Sequence, residues 1–305
     1  MATVAKSIPD QANPAASSQQ WPWTTIAWFG ALLIISYAPV LRWLVYQWYT
    51  DEDMGHGFVV PIVAGYIVWQ RRHVLAKIPI KTSYWGLALV IWSAIQFMIG
   101  TLGANIFAAR TAFLLSLIGT IWFLCGSRML RALTFPLLLL WFMIPIPAII
   151  YARITLPLQL FASRVAEDLL WRLFNIPVLR DGNVLELANQ KLSVVEACSG
   201  IRSLLALSLM SLVYAYFCDS KVWMRWVLLF ATVPIAIAAN AARVTITGVL
   251  WEYHPELAQG FFHMLEGWVL FLVAMFLLIG FHQLVNRAYN RWQRAHENRT
   301  GVANA

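Results

Sequence analysis

The strongest constraint on this chain is a series of apolar runs, each near the length that crosses a bilayer, separated by short polar loops. A spanning helix needs about 20 mostly apolar residues. Candidate spans lie at 24–46, 57–70, 84–102, 106–125, 130–150, 201–218, 226–250 and 264–284, the second of them short. They predict an all-α polytopic membrane protein of about eight transmembrane helices. Charged residues make up 12% of the chain, against about 25% in a soluble domain. That deficit fits a surface that faces lipid.

The loops set the orientation, because Lys and Arg concentrate in cytoplasmic loops. Arg71, Arg72, Lys77 and Lys81 fall after the second run, and Arg128 and Arg131 after the fourth. Lys221 and Arg225 follow the sixth, and Arg287, Arg291, Arg294 and Arg299 the last. With eight spans, all of these share one side, which is expected to be the cytoplasm together with both termini. The net charge of +8 is thereby topological and does not point to nucleic acid. The opposite loops hold Asp51, Glu52 and Asp53, then 103–105, 151–200 and 251–263. Residues 1–22, rich in Ala, Ser, Gln and Pro, read as a disordered cytoplasmic tail. The first run starts too late for a cleaved signal peptide. Residues 23–285 form the membrane domain and 286–305 a basic cytoplasmic tail.

The long outer segment 151–200 differs from the other loops. Leu156, Leu160, Val165, Leu169 and Leu173 recur at helical spacing among Arg164, Glu167, Asp168 and Arg172. This predicts an amphipathic helix over 154–174 lying in the interface. Alternation at Val184–Leu187 and Leu192–Val195 predicts a short β-hairpin around Asn189 and Gln190. The hairpin delivers the chain to the sequence EACSGIRS.

Chemistry-bearing residues gather on that outer side. Of three cysteines, Cys125 and Cys218 fall at cytoplasmic helix ends and Cys198 alone on the outer side. Cys198 precedes a helix start, where the dipole favours thiolate, and Arg202 follows four residues on. Glu196 opposes that effect unless a cation neutralises it. Cys198 is either an activated thiol or a small residue at a tight turn beside Gly200. Arg243 lies inside an otherwise apolar run, where a charge costs about 2.5–3.5 kcal/mol or more. Asn240 and Thr247 share its face. Arg243 is either a clamp between helices or a group that holds an oxyanion or a carboxylate. His263 opens the last run with Glu266 three residues on. It is either a general base or an interfacial residue beside Phe261 and Phe262. His56, flanked by Gly55 and Gly57, either contacts substrate or shapes its loop. Cys198, Arg243 and His263 come from three helices at one depth, and a thiol with an imidazole is the minimum for nucleophilic catalysis.

At these residues the sequence resembles the exosortase family, bacterial relatives of the archaeosortases. The matching pieces are GHGFVVP at 55–61, VVEACSGIRSL at 194–204, ANAARV at 239–244 and FFHMLEGW at 261–268. The resemblance implies a cysteine transpeptidase or protease of the bacterial inner membrane with its active site facing the periplasm. Its expected partners, besides the lipid bilayer, are membrane-anchored proteins with a C-terminal tripartite signal: a Pro-Glu-Pro motif, a hydrophobic helix and a basic tail. The family's Cys, Arg and His map to Cys198, Arg243 and His263, with Arg202, Asn240, His56 and Glu196 as candidate substrate contacts. No cofactor is expected, and the histidines lack metal-ligand spacing. Two other readings stand beside this one. A transporter would use Arg110, Asn240 and Arg243 as pathway residues, and an export scaffold would need none of the three catalytic candidates.

Overall fold

The computed structural model describes residues 23–188, 191–193, 200–256 and 261–300, with side chains at 24–51, 53–188, 191–192, 203–256 and 267–296. The chain forms two compact units. One takes in the chain up to Leu44 together with Ile62–Leu138; the other takes in Val45–Pro61 and everything from Leu139 on.

The first candidate span is broken rather than continuous. Helix α1 (Trp23–Ser36) and helix α2 (Ala38–Thr50) meet at Tyr37 with a 70° bend. Pro39 explains the break, because proline fits a helix's first turn and cannot continue the helix before it. A 3₁₀ turn (Glu52–Phe58) then leads into helix α3 (Val59–Gln70). At 12 residues α3 is about 18 Å long. After the short helix α4 (Arg72–Leu75) come α5 (Tyr84–Leu102) and α6 (Ile106–Cys125), whose bounds are those the apolar runs predict.

α5 and α6 form the antiparallel hairpin at the centre of the first unit. The turn places Ala104 at φ 52°, and Asn105 caps α6 by accepting a hydrogen bond from the Ala108 amide at 3.0 Å. Helices in lipid gain little from burying apolar surface against each other, so close backbone approach and polar contacts hold them. Gly86, Ser93 and Gly100 form a buried stripe at seven-residue spacing on α5. Ser93 and Ser116 hydroxyls meet at 2.7 Å, Tyr37 reaches Ser116 at 2.8 Å, and Gln96 donates to Thr111 at 2.7 Å. A Cβ at Gly86 would lie 2.6 Å from Phe123 Cα, inside the α6 backbone. Gly86→Ala is therefore expected to lower the melting temperature of the detergent-solubilised protein, with a cost of about 1–3 kcal/mol. Gly65→Ala on α3, where a Cβ meets nothing within 4 Å, should leave it unchanged or raise it.

Helix α7 (Ser127–Ala132) and helix α8 (Thr134–Leu139) follow, and then a 3₁₀ turn (Leu140–Met143). The expected continuous span 130–150 does not form. Ile144–Pro145–Ile146–Pro147 runs extended, and the chain turns by 87° into helix α9 (Ala148–Phe174). Two prolines in four residues remove helical donors and push their predecessors to extended backbone.

α9 contains the amphipathic helix expected at 154–174, but its packed face is not the one the leucine spacing marks. Thr155, Gln159, Ala162, Ser163, Ala166 and Leu170 are buried. Leu156 and Leu173 are 50% and 70% exposed. Small and polar residues face the protein and bulky apolar ones face outward, as lipid exposure favours. α9 ends with Asn175 in the left-handed region at φ 54°, and the Ile176 amide reaches back to Leu170 O at 3.0 Å.

The expected hairpin is one half of a three-stranded antiparallel sheet: β1 (Val178–Asp181), β2 (Val184–Leu187) and β3 (Lys191–Ser193), in that order. β2 pairs with β3 across Asn189 and Gln190, which lie outside the described residues. The added strand β1 turns into β2 through Gly182 (φ 61°) and Asn183, with Asp181 opposite Val184. Leu185, Leu187 and Leu192 pack from the sheet onto Ala162, Ala166 and Leu170 of α9.

Helices α10 (Gly200–Cys218), α11 (Val222–Tyr253) and α12 (Phe261–Thr300) complete the second unit. α12 stays helical through residues expected to form a tail. Among the described residues four helices are long and apolar enough to cross a membrane: α5, α6, α11 and the Gly267–His296 part of α12. Counting each bent pair as one span gives six; α3 and α10 are apolar but short. The chain is thus an all-α multi-pass membrane protein with a small sheet.

Candidate active site

The second unit brings α10, α11 and α12 together around a narrow cavity. Ser203 from α10, Asn240 and Arg243 from α11, and Gly267 and Phe271 from α12 line it. Its free volume is about 20 Å³, near the room one water needs. α11 is the antiparallel partner of the other two helices, so the N-terminal turns of α10 and α12 flank the C-terminal half of α11. α11 continues to Tyr253, which sets Arg243 ten residues, or about 15 Å, from the helix end.

Arg243 is seated against a glycine. A Cβ at Gly267 would lie 3.4 Å from Arg243 Nη2 and 3.5 Å from Cζ. A Cβ there would just touch the guanidinium, and a longer side chain would compete with it for space. Arg243 Nε is buried and makes no hydrogen bond among the described residues. Asn240, one turn earlier, is buried and lines the same cavity. A half-buried cation and a buried amide facing one narrow cavity form a receptor for negative charge.

The other candidates fall as follows. Cys198 and Glu196 lie outside the described residues. Arg202 and His263 lie in the first turns of α10 and α12, and their side chains are outside the described residues. Cys198 stands five residues before Ser203, and His263 four before Gly267.

His56 does not line the Arg243 cavity. It sits on the Glu52–Phe58 turn, where Nε2 lies 3.1 Å from Phe142 O. Burial pushes its pKa down, and the Phe142 and Asp53 contacts offset only part of that. The ring is neutral at neutral pH. Around it Trp48 donates to Met143 O at 2.9 Å and Tyr151 donates to Asp53 at 2.7 Å. A Cβ at Gly57 would collide with the Trp48 ring. The GHG segment thus ties its turn to the 140–143 turn.

Arg110, weighed as a pathway residue, belongs to the other unit. It is 4% exposed, and its Nε and Nη2 make no hydrogen bond among the described residues. Among the described residues no three His, Cys, Asp or Glu side chains are placed to hold a metal ion.

Sequence reasoning missed a polar cluster where the far ends of α10 and α11 meet the middle of α12. Asp219 and His282 are buried, with His282 Nε2 3.1 Å from Asp219 Oδ2 and Tyr214 OH 3.0 Å from His282 Nδ1. Asn286 donates to Asp219 at 3.0 Å, and Lys221 closes the group through its amide at 2.8 Å and its ammonium on Asn286 at 2.7 Å. Burial alone would raise the Asp219 carboxyl. The Lys221 amide, His282, Asn286 and the Lys221 charge outweigh burial and hold it below the usual carboxylate range. The group's contribution to stability is present above that range and is lost as pH falls through the lowered value. The signal in the sequence is His282 and Asn286 at helical spacing, while Lys221 also fits the topological charge pattern.

No curated protein and no solved structure matches the chain. A model of one family does, the transmembrane exosortases, over residues 48–280, which include α10, α11, the first half of α12 and all the candidate site residues. The match takes in well over half of the chain, so the protein belongs to the transmembrane exosortase family, membrane enzymes that act on the C-termini of exported proteins.

Proposed function

We propose that this protein is a cysteine transpeptidase or protease of the bacterial inner membrane that cleaves a C-terminal sorting signal at the periplasmic face. The observation that carries the reading is the Arg243–Asn240 cavity, flanked by the helix starts that follow Cys198 and contain His263. In this reading His263 takes the thiol proton of Cys198. The thiolate attacks the carbonyl carbon of the scissile peptide, and negative charge develops on its oxygen. Arg243 meets that oxygen, or holds the glutamate of the Pro-Glu-Pro motif. The C–N bond breaks, and the departing amine takes the proton back from His263. The thioester then passes its acyl group to an acceptor amine or to water.

The proposed topology has eight crossings, with α3 and α10 as short ones and both termini cytoplasmic. It rests on the basic residues of alternate loops. A substrate helix with a basic cytoplasmic tail would present its preceding motif on the opposite face, at the helix starts flanking Arg243.

The test is reconstitution with a membrane protein that ends in a Pro-Glu-Pro motif, a hydrophobic helix and a basic tail. Mass spectrometry should find a new C-terminus at the motif, either as a free carboxylate or joined to an acceptor. Vesicles that leave this substrate whole while they conduct solutes would replace this reading with transport.

A further inference from the structure

The described residues of the first unit carry an unbalanced charge. Residues 23–44 and 62–138 include eight Lys and Arg and no Asp or Glu. Six of the eight lie in the two loops at one end of the α5–α6 hairpin, between α3 and α5 and between α6 and α8. These loops are folded onto each other. Arg71 Nη1 donates to Ala132 O at 3.3 Å, Ser83 N donates to Phe123 O at 3.1 Å, and Leu75 packs with Cys125 and Met129. They cross at Gly126, which has φ 85° and where a Cβ would stand on Lys81 O. Only glycine suits that conformation and that approach.

The crossing opens a cavity of about 300 Å³ walled by Lys81, Ser83, Ser127, Arg128 and Arg131. Arg131 donates through Nε to Ser127 O at 3.4 Å. Lys81 and Arg128 have no side-chain partner among the described residues. Ser127 Oγ accepts from the Trp122 indole at 2.8 Å, which leaves its own proton to donate into the cavity. Three cations and a hydroxyl donor with no carboxylate among the unit's described residues match a phosphate group. Tyr84 and Trp85 follow at once, 79% and 75% exposed, and Trp92, Ile95 and Ile99 stay exposed along α5. Aromatic rings at this position mark headgroup depth, and the apolar face beyond them suits acyl chains.

We propose that this cavity binds the phosphate of an anionic phospholipid whose chains lie along the exposed face of α5. A free phosphate ion would use the cations alone and leave the aromatic and apolar face without a role. Each cation at an anionic lipid surface is worth about a fivefold change in affinity.

The experiment is native mass spectrometry of the full chain in detergent, titrated separately with phosphatidylglycerol, phosphatidylcholine and inorganic phosphate. Phosphatidylglycerol should be retained, phosphatidylcholine should not, and inorganic phosphate should neither bind nor compete. The K81Q/R128Q/R131Q variant should retain phosphatidylglycerol about 100-fold more weakly, whereas R287Q/R291Q/R294Q, with the same loss of charge, should retain it normally. R128Q alone, at an exposed side chain, should weaken retention about fivefold and covers the case in which the triple variant misfolds. Unchanged retention by the cavity variants, an equal loss in the control, or inorganic phosphate binding as well as the lipid would each overturn the assignment.

Discussion

Cys198→Ala should accumulate in the membrane at the wild-type level and leave a substrate with the tripartite signal uncut, a loss of about 10⁴-fold or more. Acyl transfer through a thioester has no path without the sulfur, and the remaining cationic pocket can only bind. The loss should be chemical rather than structural. Cys198 stands two residues before the Gly200 start of α10. Its reactivity gives a second readout. A helix start and nearby cations favour thiolate, so alkylation of Cys198 should begin at lower pH than that of an ordinary thiol. Cys125 is buried, but Cys218 is exposed, so the measurement belongs in a Cys218→Ser background. Full processing by Cys198→Ala would end the mechanism. Loss of the protein from the membrane would make the cysteine a structural residue.

The parts of this structure that the sequence disclosed are those where one physical rule acts alone. α5 and α6 are uninterrupted apolar runs joined by a tight turn, and hydropathy placed both to the residue. Where two rules compete, hydropathy by itself fails. The runs 24–46 and 130–150 are apolar throughout, yet Pro39, Pro145 and Pro147 break them, and the prolines were in view. α9 misleads in a different way. Its leucines mark a stripe that in water would face the core, but the packed stripe is Thr155, Gln159, Ala162, Ser163 and Ala166, because the surroundings reward small residues between helices. β1 is legible only in Asp-Gly-Asn at 181–183, a two-residue turn signal, because its own four residues alternate less clearly than β2. Of the candidate site, the shared face of Asn240 and Arg243 follows from their spacing of three residues. The seat on Gly267 does not, because no sequence rule says which glycine of α12 meets which turn of α11. The Asp219–His282 cluster joins residues 63 apart, a long-range pairing that local spacing cannot show.

Arg243→Lys should lower kcat/KM for the signal-bearing substrate by about 10²–10³, despite keeping the charge. A guanidinium presents a planar fork that an ammonium cannot copy, and its seat on Gly267 is flat. The change should cost little stability, since Nε makes no hydrogen bond among the described residues. That separates the catalytic reading from a clamp between α10, α11 and α12, for which the melting temperature would fall with the activity. The kinetics then divide the two roles left to the guanidinium. If Arg243 meets the oxyanion, kcat falls and KM holds, because the interaction exists only in the transition state. If it pairs with the motif's glutamate, KM rises, and a Pro-Gln-Pro substrate should be cut at the same rate by wild type and variant, the pair's coupling having been removed from both. Gly267→Leu supplies the geometric control. With the guanidinium present but its seat filled, activity should fall toward the Arg243→Lys level, and a variant of Gly267 that processes normally would show that the seating seen here has no part in the reaction.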